Sequence, residues 1–449
     1  MSSDPTQPPP TDPDEDRSYR PGWFRFAPFL GTPPPLSRRQ WRIMGLVAVV
    51  NMFDQYDLYL FSLALKQIQA DLAIPDAQLG TLGAIVRMGA LPALALGIWA
   101  DRIGRRRVLF FTIIAYTVLT GATAFAPTAE IFVALQFTTR IFAVAEVMLA
   151  YVVISEELDP EHRGWGVGAL AALGALGNGL ALVAFGFVDV LPMGWRTLYL
   201  FGLGPLVLIT WMRRSLPETK RFADLRAERA PSVGLRAALR PMVDLVRMYP
   251  ARFLGVAAVI FLLNFAENPA GFFQAKFIQE VHGWSPGQFA MLGIFGGFVG
   301  ITGSTFAGRL SDRRGRRIIA IGFLVMHPAF VLAFYSSSGW LVPALWVGMI
   351  FTGIASGVVL GTYGNELFPT SYRSTASGAR TFVATIGGVA GLQAEAWLFG
   401  GFESHWQAIS TLAMLAFVAP IIVGAFYPET SGRVLEEISP ERGDDAPHP

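Results

Sequence analysis

The sequence predicts an all-α membrane protein of twelve transmembrane helices in two pseudo-symmetric six-helix bundles. Three observations predict it. The 449 residues are 53% hydrophobic and only 15% charged, with a mean hydropathy of +0.45; a soluble domain carries about 25% charge. Apolar runs of roughly 20 residues, enough to cross a bilayer, recur at 42–66, 78–100, 107–126, 131–155, 165–189, 195–213, 252–277, 286–309, 318–336, 341–364, 375–399 and 406–427. The two halves also repeat. GIWADRIGRRR (97–107) and GRLSDRRGRR (308–317) align Gly97 with Gly308, Asp101 with Asp312, Gly104 with Gly315 and Arg105 with Arg316, at a constant offset of 211.

The elements follow in order. Residues 1–40 are Pro-rich and polar and read as a disordered cytoplasmic tail. The aromatic patch GWFRFAPFL (22–30) interrupts that tail, either as part of it or as an anchor at the membrane interface. Residues 41–213 hold the first six helices, 214–250 a polar linker rich in arginine, 251–427 the second six, and 428–449 a C-terminal tail. Basic residues crowd alternate loops, with Arg102, Arg105, Arg106 and Arg107 in one and Arg309, Arg313, Arg314, Arg316 and Arg317 in its repeat. By the positive-inside rule these loops, the linker and both termini are cytoplasmic, and the protein is a multi-pass protein of the plasma or inner membrane. A second repeat, SEELDPEHRG (155–164) against GNELFPTSYRS (364–374), pairs Glu157 with Glu366 and Pro160 with Pro369. Parallel repeats of this kind accompany transporters, with sites near the midplane between the repeats.

The composition excludes other classes. There is no cysteine, so disulfides, thiol chemistry and thiolate metal sites are out. The five histidines are scattered, which argues against a metal cluster. No nucleophile–base constellation is visible, no cofactor is implied, and an enzyme is not expected. No cleavable signal peptide opens the chain.

Charged residues inside the apolar runs point to the chemistry. Asp54 and Asp57 in NMFDQYDLYLF (51–61) share a helix face at three-residue spacing. A charged Asp at the centre of a membrane helix costs on the order of 3 kcal/mol, so two suggest use. Carrying the 211 offset back puts Asn268 opposite Asp57 and Glu267 opposite Tyr56. At 1.5 Å per residue Asp54 lies about 18 Å into helix 1, and Arg140 and Arg87 lie about 14 Å from the outer ends of helices 4 and 2. All three fall near the midplane of a core about 30 Å thick. Carboxylates one turn apart repel, and one can load and release a proton. Asp54 or Asp57 is therefore the expected proton carrier. Arg140 is the expected holder of a substrate carboxylate, which its fork matches bidentately. Arg87, Glu267, Asn268 and Tyr363 are further substrate-site candidates. The competing reading is a structural ion pair, Asp57–Arg87 or Asp54–Arg140. Lys276 and Glu395 read as interfacial, and Glu146 as facing the cavity or pairing with an arginine.

The GxxxDRxGRRR loop and its repeat, with ISEELDPEHRG, SLPETKRF (215–222), NELFPTSYRS and PETSGRVLEEI (428–438), resemble the major facilitator superfamily over nearly all of the predicted helices. They look like its sugar-porter and metabolite:proton symporter branch. FDQYD in helix 1 is similar to the aromatic acid:proton symporters. Helix 7 reads LLNFAENPAGFF, without the paired glutamines of sugar porters, and helix 5 lacks the Gly-Pro motif of drug antiporters. The resemblance implies alternating access, helices 1, 4, 7 and 10 around the cavity, and a cytoplasmic latch that breaks when the site opens inward. Gly97, Asp101, Gly104, Arg105, Glu157 and Arg163, with Gly308, Asp312, Gly315, Arg316, Glu366 and Arg373, would form it. The implied partners are a small-molecule substrate, protons and lipid, with no nucleic acid, and the chain is expected to act as a monomer. A small organic acid taken up with a proton is the leading expectation. A sugar or polyol symporter, an exporter and a non-transporting membrane sensor remain as alternatives.

Overall fold

The computed structural model describes residues 19–103, 105–212, 235–433 and 438. Among them there are helices and turns but no strand. The first half of the chain holds α1 (Arg38–Leu63), α2 (Leu65–Asp71), α3 (Asp76–Met88), α4 (Ala93–Ile103), α5 (Arg105–Thr123), α6 (Ala129–Glu157), α7 (Arg163–Phe185) and α8 (Trp195–Met212). The second half holds α9 (Leu235–Met248), α10 (Pro250–Val281), α11 (Pro286–Arg314), α12 (Arg316–Ser336), α13 (Leu341–Glu366), α14 (Arg373–Phe402), α15 (His405–Leu415) and α16 (Val418–Phe426). Among the described residues, eight helical segments are long and apolar enough to cross a membrane, and Arg107–Thr123 is a shorter apolar helix.

Local chemistry explains the boundaries. Ser37 caps α1 and Gln40 answers back to the Ser37 backbone; Ser285 and Gln288 do the same for α11, with Pro286 at its first position. The expected helix 78–100 is broken into α3 and α4, because Pro92 has no N–H to continue the ladder. The turn between them keeps short-range bonds, Gly89 N–H to Val86 at 3.1 Å and Ala90 N–H to Arg87 at 3.1 Å. Part of the expected linker is helical, as α9.

Residues 19–36 of the expected tail pack on the helices, and their aromatics are the reason. Trp23 and Phe24 pack on Trp41 with ring centroids 5.6 and 5.2 Å apart, and Trp41 meets Trp165 at 5.9 Å. The Trp165 indole donates to the Leu30 carbonyl at 3.2 Å, and Leu36 is fully buried. This segment seals the basic-loop ends of α1 and α7.

The apolar cores place the seam between the halves. At the end opposite the basic loops, one continuous core joins both halves, from Phe61, Leu79 and Phe185 to Phe273, Phe289 and Trp346. Toward the basic loops there are two separate cores. One runs from Leu36 to Leu170 and the other from Leu245 to Tyr427. The halves meet through α3 against α14 and α7 against α11.

Candidate functional site

A cavity of about 410 Å³ lies between the halves. The first half contributes Tyr59, Phe61 and Ser62 of α1, Gly83 and Arg87 of α3, and Arg140 of α6. The second half contributes Asn264, Glu267, Asn268, Phe272 and Gln274 of α10, with Leu392 of α14. A second cavity of about 250 Å³ shares Asn264 and Glu267 and extends past His327 and Ser356 to Arg380. Arg380 is tied to the Gly361 carbonyl and Asn365 Oδ1, close to the basic-loop end of α13.

The helix break after Met88 brings two arginines together. A Cβ on Gly89 would come within 3.0 Å of Arg140 Cβ, so α3 and α6 touch at this level. Arg87 then reaches across the seam. A Cβ on Gly388 of α14 would collide with Arg87 Nε and lie 2.8 Å from Asn268 Cγ, so only glycine leaves the guanidinium its place. The Arg87 charge interacts with Glu267, whereas the charge beside Arg140 is Arg87 itself. Among the described residues neither arginine makes a hydrogen bond or ion pair, and the Nε of each is buried without a partner. Two cations against one carboxylate leave the cavity net positive, with guanidinium forks suited to a carboxylate. Phe61 and Phe272 stand edge to face at 5.1 Å beside them. An anion with a flat apolar body matches that lining.

Arg87 and Arg140 thus meet as the depth count expects, and Glu267 and Asn268, placed by the repeat, join them. Asp54 and Asp57 do not line this cavity. Leu58 and Tyr59 face it, and Asp57, one residue earlier, is turned about 100° away toward α5. There Asp57 Oδ2 accepts from the Thr120 hydroxyl at 3.0 Å, while Tyr116 donates to the Phe53 carbonyl at 3.2 Å. Asp54 is fully buried, with its charge near Tyr116. The Asp57–Arg87 ion pair of the competing reading is not present. Tyr363, expected at the substrate, is fully buried and donates to the Pro428 carbonyl at the basic-loop end. Its side chain is committed to the turn after α16. Glu146 faces α5 and accepts from Thr112 at 2.6 Å. Lys276 and Glu395, expected at the interface, are buried at 2% and 0% exposure.

The second copy of the basic motif forms a network inside its own half. Arg316 reaches Asp312 at 2.9 Å and Glu366 at 2.6 Å, and the Thr430 hydroxyl donates to Glu366 at 2.6 Å. Glu429 accepts from the backbone N–H groups of Arg316, Arg317, Thr430 and Ser431, capping α12. Burial alone would raise the Glu429 carboxyl, but the four donors outweigh it and hold it below the usual range. Gly315 sits at φ +107°, where a side chain would strain the turn. Gly308 has open space where a Cβ would be. Arg373, expected in the latch beside Glu366, has a buried Nε without a partner, and Arg316 takes the Glu366 carboxylate. In the first half Glu157 pairs with Arg39 at 3.2 Å, while Arg163 donates to the Leu158 carbonyl. Gly97 lies 3.8 Å from the Met148 methyl, measured to its would-be Cβ. Gly104 and the side chains of Asp101 and Arg105 lie outside the described residues, as does SLPETKRF.

Sequence reasoning missed His327, Gln274 and Tyr59. His327 is buried beside Thr352, and a Cβ on Gly353 would lie 3.0 Å from its Cε1 and 3.8 Å from Glu267 Oε1. Gln274 joins Tyr59 to Trp346. Each is a polar residue inside a largely apolar run, with nothing in the sequence to say which helix it meets.

The chain is similar to transporters over most of its length. It is 24% identical to the niacin transporter NiaP of Acinetobacter baylyi, over 90% of this chain and 97% of that one. It is 25% identical to the 4-hydroxybenzoate transporter PcaK of Pseudomonas aeruginosa, over 87% and 94%. In fold it matches the inward-open xylose transporter XylE of E. coli at a TM-score of 0.68 and 18% identity, covering 89% of this chain and 99% of that one. Residues 47–392 match the Major Facilitator Superfamily, and the chain belongs to that family of membrane transporters.

Proposed function

We propose that this protein takes up a small, aromatic or unsaturated carboxylic acid together with a proton, by alternating access. The observation that carries the reading is Arg140: a guanidinium on the wall of the inter-half cavity, with a like charge beside it and no ion-paired carboxylate among the described residues. A substrate carboxylate supplies the missing charge. Arg87 adds a second fork, Asn264 and Asn268 offer amides, and Phe61 and Phe272 cover the ring. The names of the relatives support that class, since niacin and 4-hydroxybenzoate are flat carboxylic acids. The likeness to a xylose transporter is one of fold.

In this reading the chain crosses the membrane twelve times, six times in each half. The spans are α1, α3 with α4, α5, α6, α7, α8, α10, α11, α12, α13, α14, and α15 with α16. The basic loops and both termini face the cytoplasm. The continuous core at the opposite end and the split cores at the basic end support an inward-facing state. Asp57 then carries the proton. It is 5% exposed, with one oxygen bonded to Thr120 and the other unpartnered, a setting that suits a neutral acid. Asp54, three residues earlier, is its alternate. The repeated basic motifs form the cytoplasmic latch and re-pair across the seam when the cavity faces outward.

The test is uptake by proteoliposomes under an imposed pH gradient, with nicotinate, 4-hydroxybenzoate, an aliphatic acid and xylose. Accumulation of the aromatic acids driven by an inward proton gradient is expected. Gradient-driven uptake of xylose alone, or of nothing, refutes the reading.

A further inference from the structure

At the end opposite the basic loops, four ionisable groups meet across the seam. Asp76, the first residue of α3, lies 3.1 Å from Lys276 Nζ of α10 and 3.4 Å from His405 Nε2 of α15. His405 Nδ1 lies 2.6 Å from Glu395 Oε1 of α14. Lys276 also donates to Gln69 of α2 and Glu280 of α10, both at 2.5 Å, and Gln69 donates to Asp76 at 2.9 Å. The His405 ring is clamped between Phe273 and Phe399, with centroids at 4.4 and 4.3 Å. Lys276, His405 and Glu395 are almost wholly buried. Glu395 Oε2 has no hydrogen-bond partner and is pressed against Gly80 of α3, where a Cβ would collide with it.

Counting protons shows what this arrangement needs. A neutral imidazole has one N–H, yet a carboxylate faces each ring nitrogen. Both contacts are hydrogen bonds only when the ring is doubly protonated or one carboxyl carries the proton. Either way the closed cluster holds one proton more than a neutral histidine and two carboxylates. The charges facing it are Asp76, Glu395 and Glu280 against Lys276, with the Tyr335 phenol of α12 also near Glu395. The extra proton brings three negative charges and one positive closer to balance. When α3 separates from α14 and α15, His405 loses Asp76 and Glu395 loses the cover of Gly80. The demand for that proton then disappears.

We propose that this cluster is a proton-binding clasp at that end of the transporter. Closure captures a proton from solvent between His405 and Glu395, and opening returns it. The proposal rests on the alternating-access reading. It adds a proton site in the second half, separate from Asp57 and about one helical turn beyond the substrate-cavity residues Gly83 and Leu392. Closure at that end is linked to proton uptake, so acid favours the conformation described here.

The chain has no cysteine, so a spin-label pair can be placed at will. Ala77→Cys on α3 and Gln407→Cys on α15 report the width of the seam in the full-length protein in lipid nanodiscs, by pulsed electron resonance without substrate. The short-distance population is expected to grow relative to the long one between pH 8 and pH 5.5, by up to about tenfold per pH unit. His405→Gln and Glu395→Gln are each expected to flatten that slope. A ratio independent of pH in the parent pair, or a slope that survives in either variant, overturns the proposal. Failure of the transport reading would appear separately, as loss of acid uptake while the clasp still responds to pH.

Discussion

Arg140→Gln separates a substrate-binding arginine from a structural one. The side chain lines the cavity, makes no hydrogen bond or ion pair among the described residues, and stands beside Arg87. Hydrogen bonds to a charged group contribute about 1.5–3 kcal/mol, and each 1.4 kcal/mol is about tenfold in affinity. Nicotinate or 4-hydroxybenzoate is therefore expected to bind roughly 10- to 150-fold more weakly. The neutral amide of the same ring should bind the variant and the parent alike, because it offers no charge to lose. Stability should hold or rise, since the substitution removes a like-charge contact. Breaking a buried ion pair would instead cost about 3–5 kcal/mol, so the two effects differ in sign. Calorimetric titration of purified protein reads the affinity and thermal unfolding reads the stability. Unchanged acid binding together with a lowered melting temperature would refute the assignment.

Three further outcomes are expected. Asp57→Asn should abolish accumulation driven by a pH gradient yet leave substrate exchange intact; one pH unit across the membrane is worth about tenfold accumulation per proton, and a variant that still concentrates substrate under that gradient contradicts the role. Gly388→Ala places a methyl against Arg87 and Asn268, and overpacking of about 1–3 kcal/mol should slow uptake about tenfold or more, read as initial rates in proteoliposomes. Glu429→Gln should lower the melting temperature at pH 7 through loss of about 1 kcal/mol of capping. Because the native carboxyl is held low, its stabilisation is full above the ordinary glutamate range near pH 4 and is lost as pH falls through the lowered folded value, so the gap between parent and variant should shrink steadily once pH drops below about 4; a gap that does not shrink there would exclude the cap.

Membrane class, helical content, internal repeat and the placement of basic loops are legible in the sequence, because hydropathy, spacing and capping are properties of neighbouring residues. Depth is legible too. A rise of 1.5 Å per residue places Arg87 and Arg140 at one level, the repeat adds Glu267, and the structure joins all three at one cavity. Rotation about the helix axis is not legible, since in a helix apolar on most sides the pattern of residues does not single out the inner face. Asp57 was accordingly expected beside the arginines, whereas packing of α1 turns it to Thr120. Nor does any local signal join Asp76 to His405, or Arg87 to Gly388. Those meetings depend on how α3 docks on α14 and α15. The sequence by itself determined which residues carry charge and how deep they lie. Only the tertiary structure decided which charges meet, because helix rotation and the closed seam are set by side-chain packing across hundreds of residues.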